Sequence, residues 1–270
     1  MRLTWLGWAG AELEADGATV VIDPLKDAAA VFAPLVERPD DLAVPRVTPP
    51  RAGVAVAGLL THLHRDHADA GALRAALAPG APVLEPPPVG GGALENLALA
   101  QAEHELGAAG LERRTVAPWE SVTAGPFTVT ALPAVDGVGD PQVAWLAEAG
   151  GVRVLHLGDT MFHGHWWRMA LRHGPFDAVL LPVNGAVVAF PNRTPPSPLP
   201  VALDPGQAAI AAELLGARLA IPIHAEGYEV DGVYHPVAGA TQAFAQAAGR
   251  RGVPVRVLEP GDGVDLEAVS

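Results

Sequence analysis

The stretch Thr61-His62-Leu63-His64-Arg65-Asp66-His67 packs three histidines and an aspartate into seven positions of a chain with only ten histidines. Imidazole nitrogens and carboxylate oxygens are good donors for divalent transition metals. His62 and His64 are two apart, so on an extended chain their rings project to one side and can meet one ion. Asp66 and His67 lie where the chain turns into the next element and can serve a second ion nearby. A polar loop with coincidental histidines is the competing account. It is disfavoured because the motif follows directly on the apolar run Val54 to Leu60, and strand-end loops are where α/β folds place their ligands. Two distant segments offer more donors in the same kind of place: Asp159 in Leu155–Thr160 and His224 in Ile221–Tyr228. Each alone reads as an ordinary turn, but their recurrence after expected strands sets them apart.

The elements that must position these residues follow from periodicity and turn chemistry. Leu3 to Leu6, Ala11 to Ala15 and Thr19 to Ile22 read as short strands, with a hairpin at Asp16-Gly17. Residues 26 to 53 read as a proline-rich surface excursion, and Val54 to Leu60 as a strand buried on both faces. Helices are expected over Ala68 to Leu77 and Ala93 to Ala109, each stopped by a nearby glycine or proline. Strands return at 114–117, 121–124, 127–132, 143–148 and 152–157, the last two flanking a hairpin signal at Gly150-Gly151. The second half alternates: helix 165–171, strand 178–181, helix 205–215, strand 219–223, helix 238–248 and strand 255–258. Residues 184 to 204 are too proline-rich for helix or central strand and read as a lid-like loop. Both halves run from strand meander into alternating strand and helix, so residues 1–270 are expected to form one α/β sandwich with helices outside two sheets.

Composition narrows the chemistry. There is no cysteine, which excludes a disulfide framework, a thiolate nucleophile and a cysteine-ligated metal. The formal net charge of −13 disfavours nucleic acid and anionic membrane surfaces as partners. No signal-peptide core or apolar run of spanning length is visible, so a cytoplasmic protein acting on a small molecule is expected.

The order of His-x-His-x-Asp-His, then Gly158-Asp159-Thr160, then Pro222-Ile223-His224 resembles the metallo-β-lactamase superfamily. Within it, residues 3–10, 20–24, 158–163, 181–185 and 221–228 are similar to the branch holding the ascorbate-6-phosphate lactonase and related zinc-dependent hydrolases. The likeness runs from Leu3 to about Gly261. It implies a four-layer αββα sandwich with a dinuclear Zn²⁺ site at one edge and a metal-bridging hydroxide that attacks an ester, lactone or phosphodiester. Carried over by motif, His62 and His64 would bind the first metal, Asp66, His67 and His224 the second, and Asp159 would bridge. Asp66 would also orient the nucleophile as the catalytic carboxylate.

One position departs from the pattern. The superfamily has a histidine in the segment matching residues 131–137, where this chain has Asp136. Asp136 either replaces the imidazole as an oxygen ligand, giving a harder and less positive site that better tolerates Mn²⁺ or Fe²⁺, or it is the turn residue that Asp-Gly commonly forms. In the second case the first metal has a poor ligand set and the chain could be a metal-binding scaffold with a degenerate site. His163 and His165 are candidates for substrate contact or proton donation, against a solvent-facing helix start. Asn184 could polarise a substrate oxygen, against an ordinary Asn-Gly turn. Asp23 could hold a ligand histidine from behind, against an Asp-Pro turn. Trp145, Trp166 and Trp167 read as core, and Trp8 as an apolar addition to the pocket rim.

Overall fold

A computed structural model of the chain describes residues 1–32, 44–190, 193–225 and 227–267. The strands are β1 (Arg2–Gly7), β2 (Gly10–Ala15), β3 (Ala18–Ile22), β4 (Ala55–Leu59), β5 (Val83–Glu85), β6 (Arg113–Thr115), β7 (Ser121–Ala124), β8 (Phe127–Pro133), β9 (Val143–Ala149), β10 (Val152–His156), β11 (Ala178–Pro182), β12 (Val187–Val188), β13 (Ala220–Ile223), β14 (Tyr234–His235) and β15 (Gly263–Asp265). The helices are α1 (Ala28–Phe32), α2 (Ala70–Ala76), α3 (Leu97–Ala108), α4 (Trp166–His173), α5 (Pro205–Leu214) and α6 (Ala240–Gly249).

One sheet has the order β15-β1-β2-β3-β4-β5-β6 and the other β13-β11-β10-β9-β8-β7. Side-chain alternation along the strands builds the layers. Leu59, Val129, Trp145, Val154 and Leu180 lie in one buried cluster between the sheets. The alternate residues Leu155, Val179 and Leu181 pack outward with Trp166 of α4, Ala208 of α5 and Phe244 of α6. Leu73 of α2 and Leu99 and Leu106 of α3 cover the outer face of the first sheet with Val83. The result is an αββα sandwich. Its hairpins sit where the sequence marks them: Asp16 and Gly17 have φ of 49° and 78°, and Gly150 and Gly151 57° and 79°, as two-residue turns with positive φ at both positions require.

Several boundaries depart from the sequence reading. The helix expected from Ala93 begins only at Leu97, because Glu95 turns back to accept the Gly92 N–H (2.6 Å) and closes a turn first. The expected strand at 255–258 reduces to a single bridge from Val255 to Ala220, and the edge strand is instead Gly263–Asp265, set against β1 with Leu3 opposite Val264. Three residues, two of them glycine and aspartate, carry no strand signal of their own. Part of the 26–53 excursion is the helix α1, whose Val31 and Phe32 are buried; residues 33–43 lie outside the described set. Within the proline-rich stretch, Val187 and Val188 pair with Tyr234 and His235, and residues 191 and 192 lie outside the described set. Trp145 and Trp166 are fully buried, but Trp167 is 54% exposed, since α4 turns it away from the core.

Candidate metal centre

Every segment singled out for its donors leaves a strand at one edge of the sandwich. Asp23 follows β3, the histidine motif follows β4, Asp136 follows β8, Asp159 follows β10, Asn184 follows β11 and His224 follows β13. Thr61 ties this edge together. Its N–H donates to Asp23 Oδ1 (2.8 Å), its hydroxyl to Asp23 Oδ2 (2.6 Å), and its carbonyl accepts from Val143 N–H of the opposite sheet (2.9 Å). Gly158 comes up against it with φ +64°, and a Cβ there would stand 2.8 Å from the Thr61 Cβ. Only glycine meets both conditions.

The ligating atoms converge in two groups, each with donors within 4.8 Å of one another: His62, His64, Asp136 and Asp159 in the first, Asp66, His67 and His224 in the second. His62 Nε2 and His64 Nδ1 stand 2.9 Å apart. Asp66 Oδ2 is 3.5 Å from both His67 Nε2 and His224 Nε2, and Asp159 Oδ2 is 3.7 Å from His224 Nε2, which places Asp159 between the groups. Each histidine is held by its other nitrogen: His62 Nδ1 by the Thr61 hydroxyl (3.0 Å), His64 Nε2 by Asp140 (2.9 Å), His67 Nδ1 by Asp23 (2.8 Å) and His224 Nδ1 by the Asn184 side-chain amide (2.9 Å). Metal-binding imidazoles require such outer partners to fix tautomer and ring orientation. On the inner side, His67 Nε2, His224 Nε2 and Asp159 Oδ1 are buried with no hydrogen-bond partner. A buried polar atom left unpaired costs about 1–3 kcal/mol, so orphans at one place fit a centre built to coordinate ions.

The electrostatics are coupled. Burial alone would raise the Asp66 carboxyl, but the His67 and His224 imidazoles outweigh it and hold it well below the usual carboxylate range. Burial would lower His67, but Asp66 and Asp23 outweigh it and lift that imidazole to about 9. Burial raises the Asp159 carboxyl, while burial, reinforced by His67 and His64, drives His62 well below its ordinary value. Cations entering the site would take over the charge balance that the His67 proton supplies without them.

Asp136 satisfies both accounts of it. Its Oδ2 accepts the N–H groups of Val138 and Asp140, both at 2.9 Å, as an Asp-Gly turn would, yet the carboxylate also takes part in the first donor group. The turn uses Oδ2 and leaves Oδ1. The next aspartate, Asp140, is the partner of His64, and no pattern in the sequence marks it out. Nor does any pattern mark Tyr234, whose hydroxyl accepts from the Asn184 amide (2.8 Å).

Trp8 does not extend the pocket rim. It is 3% exposed, packs against His224 with ring centroids 3.9 Å apart and the ring planes tilted by 42°, and donates its indole N–H to Asp66 Oδ2 (2.9 Å). Its carbonyl accepts the His224 N–H (3.0 Å). Trp8, Asp23 and His224 have φ of 49°, 44° and 48°. Left-handed backbone at residues other than glycine costs of order 1–3 kcal/mol each and concentrates at functional sites.

The structure ties Asp23 to His67 and Asn184 to His224, while His163 and His165 contact each other. His163 Nδ1 accepts the His165 N–H (3.1 Å), and its ring stacks on Trp166 at 3.8 Å. Burial lowers its imidazole to about 4, so the ring is neutral near pH 7. His156 is also a structural residue: Nε2–H donates to the Ala9 carbonyl (2.7 Å) and Nδ1 accepts the Gly158 N–H (3.1 Å).

The chain is similar to known proteins over nearly its whole length. A metal-dependent hydrolase from Opitutus terrae is 28% identical over 280 residues, covering 98% of this chain and 100% of its own. Among solved structures, a metallo hydrolase from Ignicoccus hospitalis superposes with a TM-score of 0.62 at 20% identity, over 97% of both chains. The isothiocyanate hydrolase from Delia radicum gut bacteria gives 0.67 at 17% identity over 100% of both. The diiron β-hydroxylase CmlA from Streptomyces venezuelae gives 0.69 at 17% identity over 97% of this chain and 53% of its own. The shared fold thus hosts more than one chemistry, and function rests on the site. A family model described as a beta-lactamase superfamily domain matches residues 18–225, and with the αββα layers and the donor groups described above, the chain belongs to that superfamily.

Proposed function

We propose that the protein is a metal-dependent hydrolase of small-molecule esters, lactones or phosphodiesters, with two divalent ions held by His62, His64, Asp136 and Asp159 and by Asp66, His67 and His224. The observation that carries this reading is that His67 Nε2, His224 Nε2 and Asp159 Oδ1 are buried atoms without a hydrogen bond, while the outer nitrogens of all four histidines are held. Zn²⁺ suits the imidazole-rich donor set, and the third carboxylate opens it to Mn²⁺ or Fe²⁺. Bound ions would supply Lewis acidity and a lowered water pKa.

The chain's own contribution is orientation. Asp66, kept ionised by its two imidazole neighbours and pinned by the Trp8 N–H, presents a fixed carboxylate to align an attacking water. Asn184 is occupied by His224 and Tyr234, so its role is to position His224 and not to polarise substrate. A water or a nearby histidine would protonate the leaving group. The lactone and ester readings rest on the resemblance of the sequence motifs to the lactonase branch.

Elemental mass spectrometry of the purified protein, beside hydrolysis of a panel of lactones, nitrophenyl esters and bis-nitrophenyl phosphate, tests this. About two metals per chain are expected, with turnover lost in Asp66→Ala while the fold is kept. A protein without bound metal and without turnover would return the chain to the scaffold reading.

A further inference from the structure

Beside the centre, the same edge of the sandwich opens into a cavity of about 580 Å³, within the range of small-molecule pockets. β4 and β5 are parallel neighbours, with Gly58 opposite Val83 and Leu59 opposite Leu84. The loop after β4, which carries the histidine motif, and the loop after β5, which walls the cavity, therefore leave the sheet side by side. Two lining residues belong to segments of the centre itself: Leu63 separates His62 from His64, and Pro141 follows Asp140, the partner of His64.

The facing wall is apolar, built from Pro86, Val89, Ala93, Leu97 and Ala100 of the β5–α3 connection and the start of α3. Val89 and Leu97 are 59% and 54% exposed, an apolar lip open to water. Such surface, when clustered at a concavity, marks a place that something apolar covers. The polar end gives the charge. Arg113 is clamped between Glu85 (2.8 Å) and Glu103 (2.7 Å), so its guanidinium is already neutralised and the end as a whole leans acidic. A ligand carrying an anionic tail would meet no free cation there.

We propose that this cavity is a substrate subsite that takes an uncharged apolar arm, aliphatic or aryl, while the bond to be hydrolysed lies at the metal centre. The proposal rests on the hydrolase reading. Pro86-Pro87-Pro88 stiffens one side of the lip and Gly90-Gly91-Gly92 leaves the other side pliant, so the opening can adapt to arms of different length.

The test uses two readouts. Nile red, an uncharged apolar dye, is titrated into wild-type protein and Ala100→Trp, each metal-free and metal-loaded. The same proteins are assayed on nitrophenyl esters from acetate to decanoate. In the wild type, kcat/KM is expected to rise by about fourfold for each methylene seated. Ala100→Trp is expected to weaken dye binding at least about tenfold and flatten the chain-length profile. Leu97→Glu, at an exposed position, supplies the same comparison if Ala100→Trp does not fold. Equal dye affinity in wild type and variant, or a flat profile in the wild type, overturns the proposal. Dye binding that the variant loses, with no ester turned over by the loaded wild type, keeps an apolar site but overturns its role as an ester-substrate subsite; the hydrolase reading falls with it only if the lactones and bis-nitrophenyl phosphate are not turned over either.

Discussion

Asp136 stands where the superfamily pattern has histidine, and its carboxylate takes part in both a turn, through Oδ2, and the first donor group. Asparagine at this position keeps a carbonyl oxygen for the Val138 and Asp140 N–H groups but removes the anionic ligand. Asp136→Asn is therefore expected to keep the metal-free melting temperature within about 2 °C while weakening metal binding tenfold or more, on the scale that perturbing ligand support produces. Asp136→Ala is expected to lower that melting temperature as well, since the buried Asp140 N–H and the part-buried Val138 N–H lose their acceptor, the buried one at roughly 1–3 kcal/mol. Calorimetry of the metal-free proteins with a metal titration checks both. If Asp136→Asn binds metal like the wild type, Asp136 is a turn residue only.

Neighbouring elements meet closely at the edge that carries the donors, and Gly158 against Thr61 is one of these points. Gly158→Ala would force a methyl against Thr61 and strain a left-handed residue, at an expected cost of about 1–3 kcal/mol. It should also disturb the Asp23–Thr61 bonds that hold His67. A thermal unfolding shift of several degrees is expected, and an unchanged midpoint would show that the loop yields freely. At the start of α4, His163 gives a pH dependence. Its folded pKa of about 4 lies below the unfolded value near 6.5, so the folded state binds fewer protons between these limits. Stability is full above pH 6.5 and declines as the pH falls toward 4. His163→Phe keeps a ring on Trp166 and should flatten that decline in denaturant titrations at stepped pH; parallel profiles would refute the assignment. The hairpins at Asp16-Gly17 and Gly150-Gly151 were legible because positive φ is a local demand. The start of α3 was not, because Glu95 competes for the local N–H groups.

Across the molecule, the centre joins the two sheets. Thr61 accepts from Val143, and the Trp145 indole donates to the Leu60 carbonyl (2.9 Å), both linking the end of β4 to β9. Ions bound between His62, Asp66, Asp159 and His224 would add further links. Binding to the folded state alone stabilises by about 2.7 kcal/mol at one hundred times Kd. Chelation is expected to lower the melting temperature by several degrees and readdition of metal to restore it. A midpoint indifferent to chelator would argue against ligands drawn from both sheets. No helix among the described residues is long and apolar enough to cross a membrane.

The sequence by itself determined the periodic elements, the glycine turns and the donor segments, because each depends on neighbours within a few residues: two histidines two apart share a side wherever the chain is extended. It also determined the superfamily through the order of those segments. The tertiary structure alone decided that Asp140 backs His64, that Trp8 pins Asp66 and packs against His224, that His163 stacks on Trp166, and that a cavity lies behind Leu63 and Pro141. The Asp140 and Trp8 contacts join residues more than 50 positions apart, and an aspartate or tryptophan carries no local sign of the partner that folding will bring to it. The stacking of His163 is a choice of ring direction at a helix start, fixed by the core that Trp166 enters.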